Sequence, residues 1–237
     1  MCVENHKSPN VNRFITSISA LDLFSPAPDL TRKKTTVPIQ LQQQFGQIDI
    51  YVFDQILRGH ITPQMRILDA GCGYGRNLIY LLREHAEIFA IDQSQNCVDH
   101  VRRLSESLNT GLPSENFQVA AIEQMPFPDA FTDVVICSSV LHFARDAAHF
   151  QSMLSELWRV LRPGGLLFCR LGSRIGMDFE PLGNSLYRTG DGSAWFLVDE
   201  AKLMQHTAEL NAQLIDPLKT TVVQNHRCMT TWVLRKQ

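Results

Sequence analysis

Asp69, Gly71, Gly73 and Gly75 stand at alternate positions in Leu68-Asp69-Ala70-Gly71-Cys72-Gly73-Tyr74-Gly75-Arg76-Asn77, directly after a short apolar run. Glycines between a strand and a helix let the backbone approach a ligand closely. The N–H groups at a helix start then favour an anionic or polar group. The dinucleotide fingerprint G-x-G-x-x-G is not met, because Arg76 occupies the place of its third glycine, where tight helix–strand packing needs a small residue. No Lys-Ser or Lys-Thr follows, so a phosphate-cradling P-loop is excluded as well. The six cysteines (Cys2, Cys72, Cys97, Cys137, Cys169 and Cys228) form no C-x-x-C pair. Neither a zinc site nor a disulfide framework is suggested, and the spacing predicts a reduced, cytoplasmic protein.

The elements that must position this turn alternate along the chain. Met65–Leu68 predicts a buried strand, Asn77–His85 a helix, Glu87–Ile91 a second strand, and Asn96–Asn109 a helix with Val98, Val101, Leu104 and Leu108 on one face. Strands follow near 117–120 and at 133–137. The helix at 147–161 carries a stripe of Phe150, Met153, Leu154, Leu157, Trp158 and Leu161, and a fifth strand spans 166–170. Strands separated by helices mean βαβ crossovers and a parallel sheet covered on both faces. A helix at 199–210 precedes two β-rich runs, 219–223 and 229–234, that predict a closing hairpin. Residues 1–36 predict a loose leader with a solvated basic run at Arg32-Lys33-Lys34, and 37–60 a cap with helical spacing in its second half. Residues 172–197 predict a flap holding a small hairpin around Gly190-Asp191-Gly192, either functional or a surface feature with no role.

The spaced pattern resembles class I S-adenosylmethionine-dependent methyltransferases, in particular the small-molecule branch of quinone- and sterol-type enzymes. Four segments between about Phe53 and Leu171 carry the resemblance. They are the Asp69–Gly75 motif, Asp92 at the end of strand two, Ala121–Phe127 continuing to Asp129 and Phe131–Ile136, and the turn Leu161-Arg162-Pro163-Gly164-Gly165. The resemblance implies a three-layer α/β/α Rossmann-like fold with a mostly parallel seven-stranded sheet and an antiparallel C-terminal strand. It also implies a cofactor-binding set of Asp69, Gly71, Cys72, Gly73, Asp92, Gln93, Ile122, Glu123 and Ser138. Asp92, 21 residues after Gly71, would accept the ribose hydroxyls. Asp69 would orient the turn or reach the cofactor's amino group, with turn-capping as the alternative. The family usually has Asp where this chain has Ala121, so adenine would rely on the backbone near Ile122 and on apolar contacts.

Methyl transfer asks little of side chains, since the sulfonium is an activated donor and orientation supplies much of the barrier reduction. If the acceptor must lose a proton, His142 after strand four is the candidate base, the alternative being a structural histidine. Arg170 is a candidate for an acidic substrate group, with surface solvation as the alternative. Tyr51, Tyr187 and Trp195 are candidates for an aromatic lid, and Tyr187 and Trp195 for substrate contact, against plain core packing.

The chain has 237 residues, a formal charge of −2 and no apolar run of bilayer length. No membrane span, secretory signal or metal cluster is predicted, and the absence of a basic stripe argues against a nucleic-acid acceptor. Ser138-Ser139-Val140-Leu141 stands where amide- and base-methylating relatives carry Asn/Asp-Pro-Pro-Tyr/Phe. Methyl transfer to a small molecule is therefore the expected function. The alternatives are a non-catalytic module that binds S-adenosylmethionine or S-adenosylhomocysteine, or a dinucleotide-dependent oxidoreductase.

Overall fold

Alternate residues of the central strands serve opposite faces of one sheet, which is why these strands read as unbroken apolar runs. The computed structural model describes residues 39–224 and 226–237. The expected leader at 1–36 and the start of the expected cap lie outside the described residues. Two short helices come first, α1 (Ile39–Phe45) and α2 (Ile50–Leu57). In β1 (Arg66–Ala70), Ile67 packs into one buried cluster and Leu68 into the other. In β4 (Thr132–Ser138), Val134 and Ile136 part from Val135 and Cys137. In β5 (Leu161–Gly172), Leu166 and Phe168 part from Leu167 and Cys169.

Helices cover both faces. On one side α2, α3 (Ile79–Arg83) and α4 (Gln95–Ser107) contribute Val52, Leu81, Leu82, Val98 and Val101. On the other, α5 (Ala147–Val160) and α6 (Glu200–Glu209) contribute Phe150, Leu154, Leu157 and Leu203. The last three of these helices start under side-chain control. Ser94, Asp146 and Asp199 accept from the backbone N–H of Cys97, His149 and Lys202.

The sheet runs β3 (Phe117–Val119), β2 (Glu87–Asp92), β1, β4, β5, β11 (Arg227–Lys236), β10 (Lys219–Val223). β1 to β5 are parallel, and β11 is antiparallel to both its neighbours. A further strand, β9 (Ala212–Leu214), also pairs with β11. Leu234 and Arg235 pair with β5 on one side and with β9 on the other, so β9 and β10 share the outer edge of β11. Eight strand segments thus fill seven positions, in the mostly parallel arrangement with a reversed C-terminal strand that the sequence led us to expect. The interruption between β9 and β10 has a use: its Asp216 accepts from Arg58 at 2.7 Å and Gln55 at 2.8 Å, tying α2 to the sheet edge.

The flap holds three antiparallel strands, β6 (Glu180–Gly183), β7 (Leu186–Arg188) and β8 (Ala194–Phe196). The expected hairpin is β7–β8. Its turn is held by Asp191, whose Oδ1 accepts from Thr189 Oγ1 at 2.6 Å and from Ser193 N at 3.0 Å. The expected helix from Asn77 is shorter than its spacing suggested, because α3 begins only at Ile79.

Trp232 in β11 has no exposed surface and donates from Nε1 to Thr207 Oγ1 at 3.0 Å, fastening α6 to the sheet. Trp232→Ala should lower unfolding free energy by about 3–5 kcal/mol, and Trp232→Phe by clearly less. Urea denaturation followed by far-UV circular dichroism measures both.

Candidate active site

The strand order reverses between β1 and β4, and in open α/β sheets ligands bind beyond the strand ends at such a point. A cavity of about 700 Å³ lies there. The glycine turn forms its floor. Gly71 N and Cys72 N both donate to Ile91 O at 2.9 Å, which locks the turn to the end of β2. Gly71 has φ +80°, and a Cβ there would lie 2.5 Å from Val140 Cγ2, so no larger residue fits. Gly73, at φ +51°, has open space where its Cβ would be.

Asp92 ends β2 and shares the cavity wall. Its Oδ2 accepts from Gly73 N and its Oδ1 from Ser94 N, each at 2.9 Å. Two backbone donors therefore fix the plane of the carboxylate and leave its other lone pairs for a ligand. Gly71, Cys72, Gly73, Asp92, Gln93, Ile122 and Ser138 all line this cavity, so the structure brings most of the expected cofactor set together. Burial pushes the Cys72 thiol well above its ordinary pKa, so the sulfur is a wall atom and no nucleophile.

Asp69 lies beneath the turn and is not part of the lining. It is 1% exposed, and its Oδ2 is buried without a hydrogen-bond partner. Burial raises its pKa to about 7, with Arg76 pulling it down and Asp92 pushing it further up. Glu123 likewise stands behind the wall, 3.1 Å from His149 Nε2, in ion-pair range without hydrogen-bond alignment. His149 lines the cavity, and its Nδ1 accepts from Arg145 N at 3.1 Å.

The expected base is placed differently. His142 is 2% exposed and does not line the cavity; its Nδ1 accepts from Gly172 N at 3.2 Å. Its ring lies 4.2 Å from that of Trp195, and burial lowers its pKa to about 4. The structure gives it a packing role at the root of the flap. The three expected substrate residues also stand outside the lining. Arg170 is committed to Asp49 at 2.7 Å and lies over the Tyr51 ring. Tyr187 sits on the flap beside Arg174, and Trp195 reaches the cavity only through Phe143, at 6.3 Å between ring centroids.

The sequence reading missed several lining residues, among them Gln47, Arg76, Asn77, Phe143, Arg145, His149 and Met153. Arg76 was legible as the residue following the glycine motif. Arg145 and His149 follow the carboxyl end of β4, where lining residues are expected. Asp49 carried an N-cap signal ahead of an apolar run, and it does cap α2 by accepting from Tyr51 N at 2.9 Å. Its carboxylate, with no exposed side-chain surface, also lies 3.5 Å from Arg76, and Arg76 donates to Ser138 Oγ at 3.3 Å.

Comparison with known proteins agrees with this geometry. Residues 68–169 match the family model described as a methyltransferase domain. The malonyl-[acyl-carrier protein] O-methyltransferase of Serratia marcescens is 31% identical over 142 residues, 60% of this chain and 47% of that protein. The tRNA 5-carboxymethoxyuridine methyltransferase of Escherichia coli K12 is 27% identical over 114 residues, 48% of this chain and 42% of that protein. The chain thus spans less than half the length of these curated relatives. The crystal structure of Burkholderia thailandensis 1,6-didemethyltoxoflavin-N1-methyltransferase with bound 1,6-didemethyltoxoflavin and S-adenosylhomocysteine shares the fold. It has a TM-score of 0.61 at 16% identity, over 84% of this chain and 82% of that one. Residues 68–169 thus match the methyltransferase-domain family model, and the fold is that of a solved methyltransferase that binds S-adenosylhomocysteine.

Proposed function

We propose that this chain transfers a methyl group from S-adenosylmethionine to a small-molecule acceptor. The observation that carries the reading is the Asp92 carboxylate, pinned by Gly73 N and Ser94 N on the wall of a cavity floored by the glycine turn. A volume of about 700 Å³ suits a cofactor with a small acceptor beside it.

The residues present fit the cofactor. Asp92 would hold the ribose hydroxyls, and Gln93 stands next to it. Asp69 offers a buried oxygen without a partner, which suits an ammonium group above the turn. Ile122 and Ala120 supply apolar wall for adenine, which replaces the contact that Ala121 lacks. Gly71, Cys72, Gly73 and Ser138, which line the cavity at the glycine turn and the end of β4, would surround the amino-acid end. When bound, the cofactor supplies an activated methyl on a sulfonium. The chain supplies orientation and exclusion of water, effects worth up to about 7–11 kcal/mol. Residues 172–197 would form part of the acceptor rim through the Trp195–Phe143 contact.

A small acceptor is supported by the near-neutral charge of −2 and by the absence of a basic stripe. Among the described residues, no helix is long and apolar enough to cross a membrane. The two curated relatives act on a malonyl carrier protein and on a tRNA nucleoside, and both of those acceptors bear a carboxyl group by name.

Titration calorimetry of S-adenosylhomocysteine tests the reading. Micromolar binding should fall by about 10–100-fold in Asp92→Ala, the range expected for lost hydrogen bonds to a charged group. A folded protein that binds none would overturn it.

Asp69 gives a second test, in the ligand-free protein. Its carboxyl titrates at 3.8 when unperturbed and about 7 when folded, so between these values the folded state holds the extra proton. Stability from this group is complete below the lower value and is lost as pH rises through the higher one. Asp69→Asn should match the wild type near pH 4 and exceed it by about 2–4 kcal/mol at pH 8. Chemical denaturation across that range measures the difference.

A further inference from the structure

The cavity holds an imbalance that the cofactor's known groups do not explain. Arg76 and Arg145 both line it, and among the described residues Asp92 is the only carboxylate that does. Arg76 is held by Asp49 and Ser138 at the cavity floor, where the cofactor's own carboxylate would be neutralised. Arg145 is exposed, and among the described residues no carboxylate lies within ion-pair distance of it. Glu123, close enough for the Arg145 charge to help lower its pKa, faces His149 and forms no ion pair with Arg145. Phe143, Val140 and Met153 line the same cavity and supply apolar wall.

The lining also lacks a free base. Asp92 has one backbone N–H on each oxygen, and its remaining lone pairs are those assigned to the ribose hydroxyls; His149 Nδ1 accepts from Arg145 N and its Nε2 faces Glu123. The Cys72 thiol is kept protonated by burial, and His142 is outside the lining. Such a site favours an acceptor that is already a nucleophile near neutral pH. Alcohols, phenols and protonated amines must lose a proton, whereas a carboxylate has none to lose.

We propose, building on the methyltransferase reading, that the acceptor is a small aliphatic or aromatic carboxylic acid, bound through its carboxylate by Arg145 and methylated to the ester. Guanidinium matches carboxylate in shape and charge, and one-oxygen contact leaves the second oxygen free to react. That oxygen's lone pair forms the new C–O bond, and the C–S pair returns to sulfur. The products are a neutral methyl ester and S-adenosylhomocysteine, with no proton moved. Bringing the carboxylate and the sulfonium together cancels opposite charges, which a partly enclosed site favours.

The test uses the full chain saturated with S-adenosylhomocysteine. Calorimetry compares phenylacetate and hexanoate with phenylacetamide and hexanamide. The acids should bind at least about 10-fold more tightly than the amides, as for hydrogen bonds to a charged group. Arg145→Gln should abolish that preference and Arg145→Lys should restore part of it, with affinity for S-adenosylhomocysteine unchanged in both. Acids that bind no better than amides, or not at all, overturn the proposal, as does a preference that survives Arg145→Gln. A wild-type chain that binds no S-adenosylhomocysteine overturns the methyltransferase reading together with this one, so the two failures are told apart. In turnover with methyl-labelled S-adenosylmethionine, the label should be released as methanol by mild base. A base-stable product made from alcohols or amines, with none from acids, counts against it.

Discussion

Asp49 has no exposed side-chain surface, yet its carboxylate lies 2.7 Å from Arg170 and 3.5 Å from Arg76. Arg170 belongs to β5, Arg76 follows the glycine turn, and Asn77 takes the Asp49 N–H at 3.0 Å. Removing one partner from a buried pair costs about 3–5 kcal/mol, because the survivor keeps its charge and loses its solvent. The start of α2 therefore cannot drift from the sheet without leaving the buried Asp49 carboxylate unpaired. Arg76 passes the constraint onward to Ser138 at the end of β4. One carboxylate thus sets the relative position of α2, the turn and two strand ends. Asp216 repeats the device at the other end of α2, through Arg58 and Gln55.

How much of this was legible depended on the length scale of the signal. β1, β4 and β5 were readable because burial on both faces makes their central residues apolar, whatever the partner. α5 was readable because Phe150, Leu154 and Leu157 must share one face. β9 and β6 left no such mark. β9 has three residues, with Ala212 and Leu214 only partly buried, and β6 is exposed throughout. Short edge strands with little buried surface are defined by their neighbours' hydrogen bonds, and those partners are remote in sequence. α3 is also shorter than the local pattern, starting at Ile79 with no side-chain cap, while the Asn77 side chain accepts from Asp49 N.

The site divides in the same way. Residues on the glycine turn and at the tip of β2 were found because one local motif fixes their geometry. The rest of the lining was not, since it is assembled from the α2 approach, the loop after β4 and α5. His142 shows the limit. Its distance from the end of β4 placed it near the cavity, but that distance does not fix which way the side chain turns. Gly172 decides the matter. A Cβ at Gly172 would lie 3.0 Å from His142 Cβ, so the close approach that lets the Gly172 N–H reach the imidazole depends on the missing side chain.

Asp69 and His142, two strongly perturbed groups near the site, are both biased toward their neutral forms, though for different ends. Burial holds His142 neutral because its ring is wedged against Trp195, and a charge there would have no partner. Asp69 is poised about 7, so it can exist without an ion pair and can still ionise when a cation arrives above the turn. Binding a cation would then draw a proton out of the protein, and the affinity gained would depend on pH. The field that a ligand meets is set by Arg76, Arg145 and the pinned carboxylate of Asp92. Two of these three are guanidiniums, which stay charged at any pH the fold survives. Selectivity in such a cavity comes from fixed charge and shape, and titration enters only through the buried group beneath the floor.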